Sequence, residues 1–267
     1  MKKTYSLFCF FCIFCLFLLP AIGEDQPEWE YPLPPEILAN AEGFLTLTNK
    51  SSLLDEDYVP EDLVNLTVKR VVQGELRKPA HDALAAMFAA AEQSGYTLYA
   101  KSVYRSYQTQ KTMYYNRLDK VGRDDGVVAY PGSSDHQTGL GVDVLNYAWT
   151  KKDGMNAEFG KTQEAKWMAA HCQEYGFIIR YMEDKEDVTG IIYEPWHLRY
   201  VGPEAAAYIM ENHLSLEEFT ETCQSWLNGY AEAGGDFEAL LRERAKLNDV
   251  SILDTDPDGE EELSIYY

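Results

Sequence analysis

Pro131–Asn146, PGSSDHQTGLGVDVLN, is the stretch whose reading decides the fold. Its second half, Gly141–Leu145, sets Asp143 among apolar neighbours, the pattern of a buried strand. A buried ionised carboxylate is costly unless a cation or several donors compensate it. His136 lies seven residues upstream, on a polar loop that enters the strand. A second segment, Tyr193–Gly202 (YEPWHLRYVG), offers Glu194 and His197 three apart. Two histidines and Asp143 would make a three-ligand zinc site with one position left for water. Glu194 would then stand beside it as a general base.

Each residue also has a plainer account. His136 reads equally as a loop histidine, Asp143 as a carboxylate held by backbone donors or an arginine, and EPWH as a turn whose Trp196 is core. H-x6-D and E-x-x-H are weak spacings, and neither is the helical H-E-x-x-H arrangement. On the residues alone, a metal site and a structural carboxylate both stay open.

The flanking chain has alternating helical and strand patterns. Pro79 suits a first helical turn, and Leu84, Met87, Phe88 and Ala91 share one face, so 79–94 is expected to be helical up to Gly95. Thr97–Val103 alternates and reads as a strand. Ser106 caps a second helix through Asp119, with Gly122 near its end. Gln163–Tyr175 is a third helix stopped by Gly176, Phe177–Tyr181 a strand, and Glu183–Asp187 a charged turn. Gly190–Tyr193 is strand-like and delivers Glu194, whereas Leu45–Leu47 offers an edge strand and Leu53–Leu63 a loop. Glu204–Asn212 is helical, and Ser215 with Glu218 forms a capping box that opens another helix. The expectation is an α+β domain, with helices packed on a small, mainly antiparallel sheet.

The formal charge of −21, from 23 Lys+Arg against 44 Asp+Glu, argues against a nucleic-acid partner, which needs a basic footprint. Lys2, Lys3 and the apolar run Tyr5–Leu19, ending in Pro20–Gly23, read as an export signal or membrane anchor over residues 1–23. Residues 24–44, with Pro27, Pro32, Pro34 and Pro35, read as a tether. The folded domain is expected over 45–220, followed by a helical and then acidic extension over 221–267. In that extension Asp254–Gly259 opens like a calcium loop, but Ile265 stands where the closing Glu belongs, so a disordered tail is the reading. Beyond the first 23 residues only Cys172 and Cys223 remain, read as two reduced, partly buried thiols.

SSDHQTGLGVDV together with YEPWHLRYVG resembles the signature S-x-H-x-x-G-x-[AG]-x-D … E-x-W-H of the zinc D-alanyl-D-alanine carboxypeptidases. These are the vancomycin-resistance-type and LD-carboxypeptidase members of the LAS metallopeptidases. VYRSYQTQ (103–110), TNKSSLLDEDYVPEDL (48–63) and RYMEDKEDVTGIIYEPWH (180–197) extend the likeness collinearly over about residues 45–220. The resemblance implies the LAS/hedgehog-like peptidase fold, Zn²⁺ held by His136, Asp143 and His197, and Glu194 as acid and base. It implies that Arg105, Gln110 and Ser134 hold the substrate's terminal carboxylate and peptide. Gly141 departs from the family, which commonly has Ala there, and is expected to loosen packing beside Asp143 slightly. His81, His171 and His213 match no ligand position and read as structural.

The implied activity is removal of the C-terminal D-alanine from peptidoglycan stem peptides on the outer side of the membrane. The alternative is an L,D-carboxypeptidase acting on tetrapeptide stems. A non-catalytic wall-binding module is the third reading, and the intact ligand and base set speaks against it.

Overall fold

The computed structural model describes residues 26–39 and 43–253. Along the chain run α1 (Pro35–Ala39), a hairpin of β1 (Leu63–Asn65) and β2 (Glu75–Arg77), α2 (Lys78–Gln93), β3 (Leu98–Ser102) and α3 (Tyr107–Val121). There follow β4 (Gly141–Asn146), α4 (Tyr147–Thr150), α5 (Gln163–His171), β5 (Phe177–Ile179), α6 (Glu186–Thr189) and β6 (His197–Tyr200). Three helices end it: α7 (Pro203–Glu211), α8 (Leu216–Glu232) and α9 (Phe237–Leu253). The described residues divide into two units, one of 29–229 and a small one of 26–28 with 230–253.

In the large unit the main sheet is antiparallel throughout, in the order β3-β4-β6-β5. Side chains alternate across a strand, so in β4 Val142 and Val144 point away from Asp143, and in β6 Leu198 points away from His197 and Arg199. Val142, Val144 and Leu198 join the core with Leu84, Met87 and Ala91 of α2 and Met168 of α5. Full burial of each large apolar side chain contributes about 1.5–3 kcal/mol. On the opposite face Asp143 pairs across the ladder with His197, and Gly141 with Arg199. One strand pairing thus places a metal-ligand candidate from each motif side by side.

Local chemistry explains the ends of several elements. Ser106 caps α3 by accepting from the Thr109 amide, and Gly122 closes it at φ 76°. Ser215 and Glu218 form the expected reciprocal box, with the Ser215 amide donating to Glu218 at 2.7 Å and the Glu218 amide to Ser215 at 3.1 Å. Cys172 and Cys223 are both free thiols, the first buried.

The structure departs from the sequence reading in several places. Leu45–Leu47 is not a strand, because the Phe44 and Thr46 carbonyls accept from Arg199 at 3.1 and 2.6 Å. Gly190–Tyr193 is a loop pinned by the Ile192 amide on Gly126 O, and the strand starts only at His197, after Pro195, which has no N–H for a ladder. The helix from Gln163 changes at Cys172 to a 3-10 turn, and α6 starts inside the charged turn at Glu186 and runs past it to Thr189. The β1–β2 hairpin was not anticipated. Finally, Gly141 loosens nothing: a methyl there would stand 3.0 Å from the Cβ and carbonyl carbon of Asp135.

Residues 29–39, within the proline-rich stretch, lie against α8. Tyr31 stacks on Trp226 at 5.8 Å, and Leu33 and Leu38 are buried. In the small unit Gln26 accepts from the Tyr230 hydroxyl and the Asp236 amide, and Asp236 caps α9 at the Ala239 amide. Residues 1–23 and the acidic run Asp254–Glu262, with its half calcium loop, lie outside the described residues. Among the described residues no helix is long and apolar enough to cross a membrane.

Candidate metal centre and substrate cavity

His136 sits in a 3-10 turn, Asp135–Thr138, which Gly139 reverses at φ 68°. The turn is laid against the end of β3: His136 Nδ1 is 2.9 Å from Val103 O, and the Arg105 amide donates to His136 O at 3.1 Å. A carbonyl only accepts, so Nδ1 carries the proton and Nε2 presents its lone pair. That nitrogen lies 3.5 Å from Asp143 Oδ2. On the other side His197 Nδ1 is 2.9 Å from Asp143 Oδ1 and 3.9 Å from Glu194 Oε2. The two imidazoles meet edge to face at 4.9 Å.

These three side chains are buried, and one donor atom from each lies within 4.8 Å of the others. Ligands at adjacent corners of a tetrahedron with bonds of about 2 Å are separated by about 3.3 Å, so this donor set fits a divalent cation. Two neutral-capable nitrogens and one carboxylate also suit zinc in chemical type.

The electrostatics agree. Burial opposes ionisation of Asp143, yet His136 and His197 hold it well below the usual carboxylate range. Burial and the Arg105 charge lower His136 to about 4, which keeps its ring neutral. His197 is driven the other way: burial lowers it, but Asp135 and Asp143 together raise it to about 9. Glu194 is raised to about 8 by burial and Asp143, against the pull of His197 and Arg105. Metal-free protein therefore holds protons at His197 and Glu194 that its unfolded chain releases at lower pH. Stability is lost as pH rises from about 4.5 to 8 for Glu194 and from about 6.5 to 9 for His197. The metal-free protein is expected to melt several degrees lower at pH 9 than at pH 7; a flat or rising profile by calorimetry would contradict these shifts.

A cavity of about 340 Å³ opens over the centre, at the small end for ligand pockets. His136, Asp143, His197, Glu194, Arg105 and Ser134 all line it. Arg105 donates from Nη1 to Met113 Sδ at 3.2 Å, and its buried Nε has no partner. Gln110 stands one layer back. It is fully buried, donates to Ala129 O at 2.6 Å and leaves its own Oε1 unpartnered. The other histidines stay apart from the centre: His81 bonds Thr67 and Asp82, His171 bonds Glu174, and His213 bonds Asp184.

Sequence reasoning missed two groups of residues. Tyr181 lines the cavity with its ring 5.0 Å from His197. Asp135, Arg180, Arg199 and Glu217 form a buried charged cluster. Its signal was present in FIIR, where Arg180 closes an apolar strand run, and in HLRY, where Arg199 sits inside a buried strand. An arginine so placed requires a buried carboxylate, just as Asp143 requires a cation.

The model of the VanY D-alanyl-D-alanine carboxypeptidase family matches residues 73–203. The putative carboxypeptidase YodJ of Bacillus subtilis (strain 168) is 44% identical over 195 residues, 70% of each chain. Among solved structures, the LdcB LD-carboxypeptidase is 44% identical with a TM-score of 0.63, covering 68% of this chain and 87% of that one. A mutant of the vancomycin-resistance D,D-pentapeptidase VanY in complex with Zn(II) is 29% identical with a TM-score of 0.55, covering 66% and 98%.

Proposed function

Because the chain belongs to the VanY family of D-alanyl-D-alanine carboxypeptidases, we propose that it is a zinc carboxypeptidase that removes the C-terminal D-alanine from peptidoglycan stem peptides. His136, Asp143 and His197 are the residues that would hold Zn²⁺. The observation that carries this reading is the convergence of three buried donors, an acid 3.9 Å from one of them, and an arginine with an unpartnered Nε, all on one cavity.

When bound, zinc supplies a Lewis acid for the scissile carbonyl and makes water nucleophilic near neutral pH. The remaining work belongs to side chains. Glu194 takes the proton from the attacking water at a carboxylate oxygen and then returns it to the leaving D-alanine nitrogen. Burial and Asp143 raise Glu194 to about 8 in the metal-free protein, and a divalent cation beside it would favour the ionised carboxylate, the form that accepts the proton. Arg105 binds the free carboxylate of the substrate's last residue, which makes the enzyme an exopeptidase. Ser134, on the cavity wall, contributes a hydroxyl to the peptide, and Gln110 supports the wall by holding Ala129.

A substrate of this kind lies on the outer side of the membrane. Residues 1–23 as export signal or anchor complete the reading; 29–39, expected as part of a tether, instead pack on α8 as part of the large unit.

Incubating pure protein with pentapeptide and tetrapeptide stems and weighing the products tests it. Loss of one D-alanine from the pentapeptide, abolished by a chelator and restored by zinc, is expected. No cleavage of either stem with zinc present would sink the proposal. Cleavage of the tetrapeptide alone would establish the second reading, L,D-specificity, which also fits the 44% identity to the LdcB LD-carboxypeptidase. Arg105→Gln is expected to raise KM for a free-acid peptide about 10–100-fold, since a charge-assisted hydrogen bond is worth about 1.5–3 kcal/mol. A C-terminally amidated stem should be refused by the wild type. Equal cleavage of acid and amide would remove Arg105 from its role.

A further inference from the structure

Asp135, beside the ligand candidate His136, is buried under the metal centre rather than facing the cavity. Its Oδ2 accepts from Arg180 Nε at 2.9 Å, and its Oδ1 from Thr48 Oγ1 at 2.7 Å and from Arg199 Nη1. Arg180 forks onward to Glu217 of α8, Nη1 to Oε2 at 2.7 Å and Nη2 to Oε1 at 2.8 Å. None of the four charged residues is more than 7% exposed, and their formal charges cancel. Four charges buried this way stabilise a fold no better than apolar residues of the same volume. Their geometry is therefore the feature to explain.

Two observations connect the cluster to the centre. His197 Nε2, the nitrogen turned away from Asp143 and Glu194, is buried without a hydrogen-bond partner. Asp135 Oδ2 stands 3.7 Å from it, about half an ångström beyond a hydrogen bond. Gly141 admits the carboxylate to this position, since any side chain there would stand 3.0 Å from Asp135 Cβ.

We propose that Asp135 is a positioning residue for the metal centre: its carboxylate is the outer partner of His197 Nε2–H, which reserves Nδ1 for the metal, and the Arg180–Glu217 fork anchors that carboxylate to α8. This rests on His197 being a zinc ligand. Histidine ligands generally donate their second N–H to such a group, which sets the tautomer and the orientation of the ring. Thr48 and Glu217 both lie outside the 73–203 match. The cluster is thus the route by which the flanking segments bear on the site.

The test compares full-length wild type, Asp135→Asn, Glu217→Gln and Thr48→Val. Zinc dissociation constants are taken by chelator competition, kcat and KM at saturating zinc, and melting temperatures on the zinc-free proteins. In D135N zinc is expected to bind about 10–100-fold more weakly, with kcat reduced and KM within about twofold because Arg105 is untouched. E217Q and T48V should shift zinc affinity the same way by less, and they carry the test if D135N does not fold. Lower melting temperatures with wild-type zinc affinity and kcat in the folded variants would overturn the proposal and leave the cluster a folding device. Wild type that binds no zinc would instead sink the reading of the centre, and the proposal with it.

Discussion

Glu194→Gln is expected to keep stoichiometric zinc and to lose nearly all turnover, with kcat down by about 10²–10⁴. Glutamine preserves the volume of the side chain and can still accept a hydrogen bond, but it can neither take nor return a proton. Zinc is retained because the three donors that converge do not include Glu194, whose nearest carboxylate oxygen stands 3.9 Å from His197 Nδ1. The backbone around it should also survive. The Glu194 amide donates to Tyr181 O and its carbonyl accepts from the His197 amide, both at 3.0 Å, and neither bond involves the side chain. KM should change little, since Arg105 still reads the substrate's carboxylate. Steady-state kinetics beside a metal assay check all three expectations. Wild-type-like turnover would remove Glu194 from the reaction, whereas loss of zinc would mean that it is a ligand after all.

Asp143→Ala should fail differently, losing zinc and stability together. Asp143 is the junction of the centre, lying 3.5 Å from His136 Nε2 and 2.9 Å from His197 Nδ1. Alanine removes one of three metal donors and leaves a cavity between two rings. It also strips a partner from His197, which is protonated at neutral pH in the metal-free protein. Breaking a buried charge pair from one side costs about 3–5 kcal/mol. Asp135 still faces His197, so the lower end is expected, about 3 kcal/mol and roughly 6–12 °C in melting temperature. Calorimetry of zinc-free wild type and variant isolates that loss from the loss of bound metal. Stoichiometric zinc in D143A would show the ligand set to be wrong, and unchanged melting would show that Asp143 carries no weight in the fold.

The parts of the fold legible in the sequence were those with local causes. The apolar face of α2, the Ser106 cap, the Ser215–Glu218 box and the six-residue run of β4 each depend on neighbours within a few positions, so reading them needs no third dimension. The misread elements have remote causes. Leu45–Leu47 is apolar enough for a strand, but Arg199, more than 150 residues away, takes the carbonyls on either side of Leu45. The loop at Gly190–Tyr193 is held by Gly126, and the anticipated strand begins one motif later.

The site divides in the same way. His136, Asp143, Glu194 and His197 could be named in advance because each is a reactive residue type in a distinctive local setting, whereas Arg105 came only with the resemblance. Their naming as a set came from the resemblance of collinear motifs and not from spacing, which left a structural carboxylate open. Gln110 was named with them, yet its amide faces Ala129 and not the cavity. The sequence by itself determined the residues able to bind metal and move a proton, because that chemistry resides in the side chain. Only the tertiary structure decided that Asp143 and His197 face each other across β4 and β6, that Asp135 lies beneath Gly141, and that Glu217 of α8 closes the charge balance. Strand register and the pairing of buried charges depend on which distant segments meet, and no local pattern encodes that meeting.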